Sequence, residues 1–444
     1  MPPKILQPFQ IEGRDHFARN FHAANGDQPG LGKTPQAIHA AALVGDTSSE
    51  WLVTCPASVR SNWFEHVEEH YGHTRGWEIL SYDQVMRHGV TRSRYTGWIG
   101  DEIHFCKNSE SKRTKAVFGR GGVARLADYK WPMSGTMAPN GRPIELWPML
   151  KTLCPSFKDV SFAGYAQKYC GAYYDGFGWN VKGASNIDEL ARLLRGFMIR
   201  RTKKQVFPDR LEPLVSRVPL ELAGSDMTAI LAEEEAIGGR ELRLSPSKEK
   251  FSQMGDTSKL LHLLGMAKVR LVSRFVHDQL ETVDKVVVFF RHVEVGRQLM
   301  LSLGQSGFQP VMYRGGMSDS EKDAAKAKFM GGLYPRVLLA QQQAAGTGIN
   351  GLQKVCSTAV LAEPPWTPGD TEQIIDRLDR MGQEDDLVTA YILYAKGTLD
   401  GVVVSVHDRK ERTGERLMAD EARGTTTANL FWPDLEDGDL LGQL

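Results

Sequence analysis

Compact apolar runs alternate with amphipathic stretches along most of the chain. Residues 51–56 (WLVTCP) form an apolar run closed by a proline, which predicts a buried strand. Residues 21–25, 79–82 (ILSY) and 131–136 (WPMSGT) predict further strands, and residues 12–21 and the stretch opening at Ala57 predict helices. In the C-terminal half, 285–290 (KVVVFF), 310–316, 337–340 and 360–362 predict buried strands, with a helix over 293–303. Strands alternating with helices predict an α/β fold built on parallel sheets. The middle of the chain breaks this pattern. Long polar–apolar helical segments at 227–237 and 260–280, the latter with Lys268, Arg270 and Arg274 among its apolar positions, predict a helical insertion. The expected organisation is a first lobe over 1–207, an insertion over 208–284, and a second lobe over 285–444 ending in the acidic stretch 434–439.

Length and composition narrow the picture. A chain of 444 residues is long enough for two or three domains. Its formal net charge of zero argues against a general electrostatic grip on nucleic acid, though a local basic groove is compatible with it. The five cysteines (Cys55, Cys106, Cys154, Cys170, Cys356) are scattered without a CxxC pair. They read as reduced core thiols in a reducing compartment, with no zinc expected. No apolar run approaches membrane-spanning length, so no membrane association is expected, and the N-terminus lacks a signal-peptide core.

The candidate chemistry begins at residues 27–34 (DQPGLGKT). Gly30 and Gly32 let backbone N–H groups approach a triphosphate, Lys33 can reach the β- and γ-phosphates, and the Thr34 hydroxyl can hold Mg²⁺. Asp27 stands where the strict pattern has its first glycine, and a glycine-rich turn with an exposed lysine is the plain alternative. Upstream, Gln10 is either a solvated helix-start residue or a carboxamide suited to the edge of adenine. Downstream, Asp101 and Glu102 follow a segment (GWIG, 97–100) that is a poor strand by propensity. Such a pair is usually surface. Beside a phosphate loop, Asp101 can hold Mg²⁺ through water, and Glu102 can orient and deprotonate the attacking water. His104 links this pair to other motifs or caps the turn. Ser134 and Thr136 are turn residues or a relay between nucleotide and nucleic acid. On a helix, Arg377 and Arg380, spaced i, i+3, would share one face. They are either a salt-bridged surface pair beside Asp376 and Asp379 or two cations aimed at a γ-phosphate.

In order, GLGKT (30–34), LVTCPASVRSNW (52–63), ILSY (79–82), DEIH (101–104), SGTMAPNGRPIELWPML (134–150), MIRRTKKQV (198–206) and QIIDRLDRMGQ (373–383) resemble the motifs of Swi/Snf-type helicase-like ATPases of superfamily 2. The tail of the first lobe, 178–204, looks most like the branch that includes the annealing helicases. The resemblance covers roughly residues 6–399. It implies two RecA-like lobes with ATP and Mg²⁺ in the cleft. Arg377 and Arg380 would be arginine fingers, Gly348 would sense nucleotide, and His104, Ser134, Thr136 and Gln383 would couple hydrolysis to DNA. By family position Arg60, Asn62, Lys204, Tyr313 and Arg314 are the expected contacts to DNA. The sequence departs from the family pattern at Pro29, at 318–322 and at 366–369. The implied activity is DNA-dependent ATP hydrolysis by a monomer acting on duplex or branched DNA and on proteins bound to it. The rivals are a strand-separating DNA or RNA helicase and a DNA-binding protein with a decayed ATPase fold. The expected location is the cytoplasm of a bacterial or virus-infected cell, or the nucleus of a eukaryote.

Overall fold

The computed structural model describes residues 5–174, 176, 178–236, 257–344, 349–365, 368–380 and 382–405. The first lobe is built on β1 (Ala24–Asn25), β2 (Trp51–Cys55), β3 (Trp77–Ser81), β4 (Tyr95–Asp101), β5 (Ala127–Met133) and β8 (Met198–Ile199). They form one sheet in the order β3-β2-β4-β5-β1-β8, and every pairing is parallel. Strand residues alternate between two buried layers: Trp51 and Val53 face one, Leu52 the other. On the first face, α1 (Pro8–Arg19), α2 (Lys33–Val44) and α3 (Arg60–Tyr71) contribute Phe17, Ile38, Trp63 and Val67. A small antiparallel ribbon, β6 (Tyr173–Tyr174) with β7 (Trp179–Asn180), lies apart from the sheet.

β4 explains why its sequence reads poorly as a strand. It is central, between β2 and β5. A Cβ at Gly97 would lie 2.0 Å from the Trp51 ring, and one at Gly100 would lie 2.5 Å from the Trp98 ring. The glycines give up strand propensity so that two fully buried indoles can lie against the backbone.

The second lobe contains β9 (Leu214–Leu220), β10 (Val286–Phe290), β11 (Val311–Tyr313), β12 (Val337–Gln341), β13 (Thr358–Leu361) and β14 (Thr389–Ala395). Their order is β11-β12-β10-β13-β14-β9, again all parallel. This corrects the expected insertion over 208–284. β9 pairs with β14 from Leu214↔Thr389 through Leu220↔Ala395, so it is an edge strand of the second sheet. The helix Thr257–Gln279 places Val272 and Val276 against Val286 and Val288 of β10. Lys268, set among the apolar positions of that helix, is 1% exposed and pairs with Asp400 at 2.6 Å. Pro219 and Arg217 hid the strand, because proline is confined to edges and charge breaks the apolar run. Residues 237–256 and the acidic stretch 434–439 lie outside the described residues. No described helix is long and apolar enough to cross a membrane.

Candidate active site

The phosphate loop connects β1 to α2, the context its sequence demands. Gly30 and Gly32 have φ of +86° and +72°, in the left-handed region open to glycine. Lys33 donates its Nζ to the loop carbonyls of Asp27 at 2.7 Å and Gln28 at 3.3 Å. Burial lowers its pKa, against the opposing charges of Glu102, Asp27 and Asp101. Thr34 lies in the first turn of α2. Gln10, on α1, is buried and donates to the Leu31 carbonyl at 3.3 Å while accepting from the Gln7 N–H at 3.0 Å. It buttresses the loop from below.

Asp27, the residue out of place in the strict motif, anchors this loop. It is fully buried, and Arg201 grips it twice, Nε to Oδ1 at 3.0 Å and Nη2 to Oδ2 at 2.5 Å. The Arg201 backbone N–H at 2.9 Å and Gln36 Nε2 at 3.2 Å add two further bonds to its carboxylate. A bidentate, buried arginine–carboxylate pair holds geometry as well as charge. Pro29 lies against Gly135, where a Cβ would come within 2.4 Å of its ring. The loop is therefore seated on the end of β5.

The acidic pair sits at the end of β4. Asp101 accepts from the Trp63 indole N–H at 2.8 Å and from the Glu102 N–H at 3.0 Å. Burial, then the Glu102 charge, pushes its pKa up to about 7. Glu102 has φ of +49°, a conformation a non-glycine residue rarely holds without other constraints. Those constraints are Ser134 Oγ, which donates to Oε2 at 3.0 Å, and His104 Nδ1 at 3.2 Å from the same oxygen. His104 Nδ1 also lies 2.8 Å from Ser134 Oγ. Burial alone would raise the Glu102 pKa, but His104, Lys33 and Ser134 outweigh it and hold it down to about 2. One carboxylate is therefore a firmly ionised base, and its neighbour is an acid that a cation would relieve.

The second lobe brings its arginines to this site. Arg380 donates Nε to the Asp376 carbonyl at 2.7 Å and Nη1 to Asn350 Oδ1 at 2.6 Å. Burial, then the adjacent Arg380 charge, pushes the Arg377 pKa down to about 9. Both arginines are half-buried and lie in the turn after the helix Pro368–Ile375, not on the helix face expected for them, because the helix ends before Arg377. Two such neighbouring guanidiniums suit a polyanion. Asp376 beside them offsets part of the charge of both arginines. Lys203, just past β8, also donates to both Asp376 and Asp379, the latter at 2.6 Å. Arg210 meets Asp379 at 2.6 Å. Gln373 donates to Thr136 Oγ1 at 3.3 Å, a further contact between the lobes.

The structure thus gathers Lys33, Asp101, Glu102, His104 and Ser134 in one lobe and faces them with Arg377 and Arg380 from the other. Gln383 donates to the Cys356 and Leu378 carbonyls and braces its own lobe. Gly348 lies outside the described residues. Of the expected DNA contacts, Arg60 donates to the Ile79 carbonyl at 2.8 Å and Asn62 is half-exposed on the same helix. Lys204 is exposed, and Arg314 is half-exposed at the end of β11. Tyr313 is 6% exposed within the second core, which leaves it little surface for a DNA backbone. The sequence reading missed Asp27 as an anchor with Arg201 as its partner, and Lys203 and Arg210 as partners of Asp376 and Asp379. For Lys203 the signal was complementary charge, RRTKK (200–204) against DRLDR (376–380).

Two parallel-sheet lobes, a phosphate loop in one and paired arginines from the other define the class of two-lobed helicase-like ATPase cores. Family comparison agrees: the SNF2-related domain matches residues 73–220 and the helicase conserved C-terminal domain matches residues 267–382. The chain thus carries an SNF2-related domain followed by a helicase conserved C-terminal domain. It is 28% identical to the DNA annealing helicase and endonuclease ZRANB3 of Mus musculus, over 94% of this chain and 41% of that protein. It is 29% identical to the SWI/SNF-related matrix-associated actin-dependent regulator of chromatin subfamily A-like protein 1 of Xenopus tropicalis, over 89% of this chain and 43% of that one. The chain therefore spans about two-fifths of the length of these relatives. The solved SWI2/SNF2 ATPase core of Sulfolobus solfataricus in complex with dsDNA aligns over 93% of this chain and 97% of that one, at 20% identity and a TM-score of 0.42.

Proposed function

We propose that this chain hydrolyses ATP with Mg²⁺ when duplex or branched DNA lies across its lobes, and that the cycle moves it along DNA to reanneal strands or displace bound proteins. Residues 1–207 act as the nucleotide lobe, and the described residues from β9 onward act as the arginine lobe. The observation that carries this reading is the division of one site between two lobes. Glu102 and Lys33 lie on one side and Arg377 and Arg380 on the other, so hydrolysis requires closure.

The residues present fit the nucleotide and its metal. The positive-φ glycines turn the loop, Lys33 and the arginines match the phosphates, and the Thr34 hydroxyl with the half-buried Asp101 carboxylate suits a hard divalent cation. Bound magnesium would neutralise charge on the β- and γ-phosphates. Glu102, kept ionised and fixed by Ser134 and His104, would take the proton of the attacking water. Lys33 would exchange its loop carbonyls for phosphate oxygens. The arginines would stabilise charge on the transferring group. DNA contacts through Arg60, Asn62, Lys204 and Arg314 would be phosphate-directed, sequence-independent and sensitive to salt.

The test is ATP hydrolysis without nucleic acid and with single-stranded, duplex, forked and RNA ligands, in the parent, Lys33→Ala and Glu102→Gln. Strong stimulation by duplex or forked DNA, lost in both variants, is expected. Stimulation confined to RNA or single strands would favour a strand-separating helicase. DNA binding without any hydrolysis would overturn the motor.

A further inference from the structure

The last turns of α3 read His66-Val67-Glu68-Glu69-His70. Positions i, i+3 and i+4 of a helix share a face, and H-x-x-E-H is a spacing that zinc-binding helices use. Here the three side chains converge. His66 Nδ1 and His70 Nε2 each lie 3.8 Å from Glu69 Oε2, and the three atoms lie within 4.8 Å of one another. Zinc bonds to nitrogen and oxygen of about 2.0–2.2 Å in a tetrahedron put ligand atoms roughly 3.3–3.5 Å apart. The two 3.8 Å separations need a closure of a few tenths of an ångström, and a separation at the 4.8 Å bound needs ~1.4 Å, shared between two side chains that can rotate.

A second observation comes from another helix. His39 of α2 places its Nε2 3.1 Å from His70 Nδ1, with the two rings edge to face at 5.2 Å. A metal on Nε2 of a histidine requires the proton on Nδ1, and that proton needs an acceptor. Metal-ligating histidines characteristically donate their other ring nitrogen in this way, which fixes tautomer and ring orientation. His39 is placed to accept it.

We propose that His66, Glu69 and His70 form a binding site for a zinc-class divalent ion, with His39 orienting His70 from α2. Two imidazoles and a carboxylate favour Zn²⁺ over the hard cations Mg²⁺ and Ca²⁺. The expectation of no zinc rested on cysteines, and this set contains none. The ion would staple the end of α3, whose first turn carries Arg60 and Asn62, and through His39 would tie it to α2, the helix that the phosphate loop opens.

The experiment is Zn²⁺ titration of the full chain by calorimetry, in nucleotide- and magnesium-free buffer, with Co²⁺ absorption as the readout of coordination. It involves no ATP or DNA, so its outcome is independent of the proposed activity. The parent should bind one Zn²⁺ with a Kd of about 10 µM or tighter. Glu69→Gln, at an exposed position, should weaken binding at least about tenfold, and His66→Ala should abolish the Co²⁺ bands. His39→Ala should weaken binding about 10–100-fold, as loss of an outer partner does elsewhere. His88→Ala, at an exposed position on another helix, should bind as the parent does. Circular dichroism establishes that each variant is folded. Parent-like binding in folded Glu69→Gln and His66→Ala, or no binding by the parent at ~0.1 mM Zn²⁺, would overturn the site.

Discussion

Lys203 Nζ lies 2.6 Å from Asp379 Oδ2, joining the segment after the last strand of the first sheet to the arginine block of the second lobe. The same lysine donates to Asp376, and its backbone N–H donates to Gln28 of the phosphate loop at 2.7 Å. Burial opposes its charge, but Asp376 and Asp379 outweigh burial and hold its pKa up. It therefore touches the loop and the acids flanking Arg377 and Arg380, and positions both.

Lys203→Ala removes the lysine from buried Asp376 and leaves Asp379 with Arg210 alone, and stripping a cation from a buried carboxylate is the costly way to break such a pair. The expected result is a fall in kcat of at least about tenfold, ~1.4 kcal/mol of barrier, with KM for ATP changed far less. Lys203→Arg should recover part of it. Steady-state kinetics in saturating DNA decide the matter, and an unchanged kcat in Lys203→Ala would remove the positioning role.

Glu102→Gln keeps shape and removes the base. Hydrolysis should drop by about 10²–10⁴, while affinity for a fluorescent ATP analogue stays near the parent value. A variant that keeps a tenth or more of the parent rate would mean that another group takes the proton.

Arg377→Ala and Arg380→Ala remove charges from the lobe opposite the phosphate loop. Comparable losses elsewhere reduce turnover by ~10³–10⁵. Single-turnover rates should fall steeply in each variant with nucleotide binding largely kept. A loss confined to binding would argue that the arginines hold ground-state nucleotide only.

The acidic pair makes stability depend on pH in opposite senses. The Asp101 pKa is raised from 3.8 to about 7, so between these values the folded state keeps a proton that the unfolded chain has released. Its contribution is largest at low pH and is lost as pH rises through about 7. The Glu102 pKa is lowered from 4.5 to about 2, so its contribution is present above 4.5 and is lost only as pH falls toward 2. Asp101→Asn should therefore raise the Tm of the nucleotide-free protein at pH 8. Mg²⁺ should raise the parent's Tm there and leave the variant's unchanged. A variant no more stable than the parent at pH 8 would contradict the buried-acid account.

Gly97→Ala would drive a methyl into Trp51, both fixed in the centre of the first sheet. Overpacking of this kind costs about 1–3 kcal/mol. Thermal unfolding should shift down by several degrees, and an unshifted Tm would show that the indole can move aside.

Much of this was legible from the chain. Lys33, Glu102, Arg377 and Arg380 sit in motifs whose order is diagnostic, and the buried strands announce themselves as apolar runs. What escaped was set by distant partners. The strand carrying Asp101 looks weak until Trp51 is seen lying over Gly97. Asp27 looks like a defect in a motif until Arg201 closes on it from the far end of the lobe. Asp376 and Asp379 look like neighbours for the arginines, but a lysine from the other lobe takes them. β9 was hidden by its own proline and arginine, because an edge strand needs only one good neighbour.

That edge strand also bears on how the protein comes into being. Leu214 pairs with Thr389, so the strand of the second sheet made first is matched with the one made last. During synthesis the first lobe can complete its sheet as soon as β8 emerges, whereas β9 must wait for nearly all of the remaining chain. Pairings this distant in sequence form slowly, since closing the intervening loop precedes any gain from contact. A chain cut short before Thr389 would carry a finished nucleotide lobe beside a strand with no ladder to join.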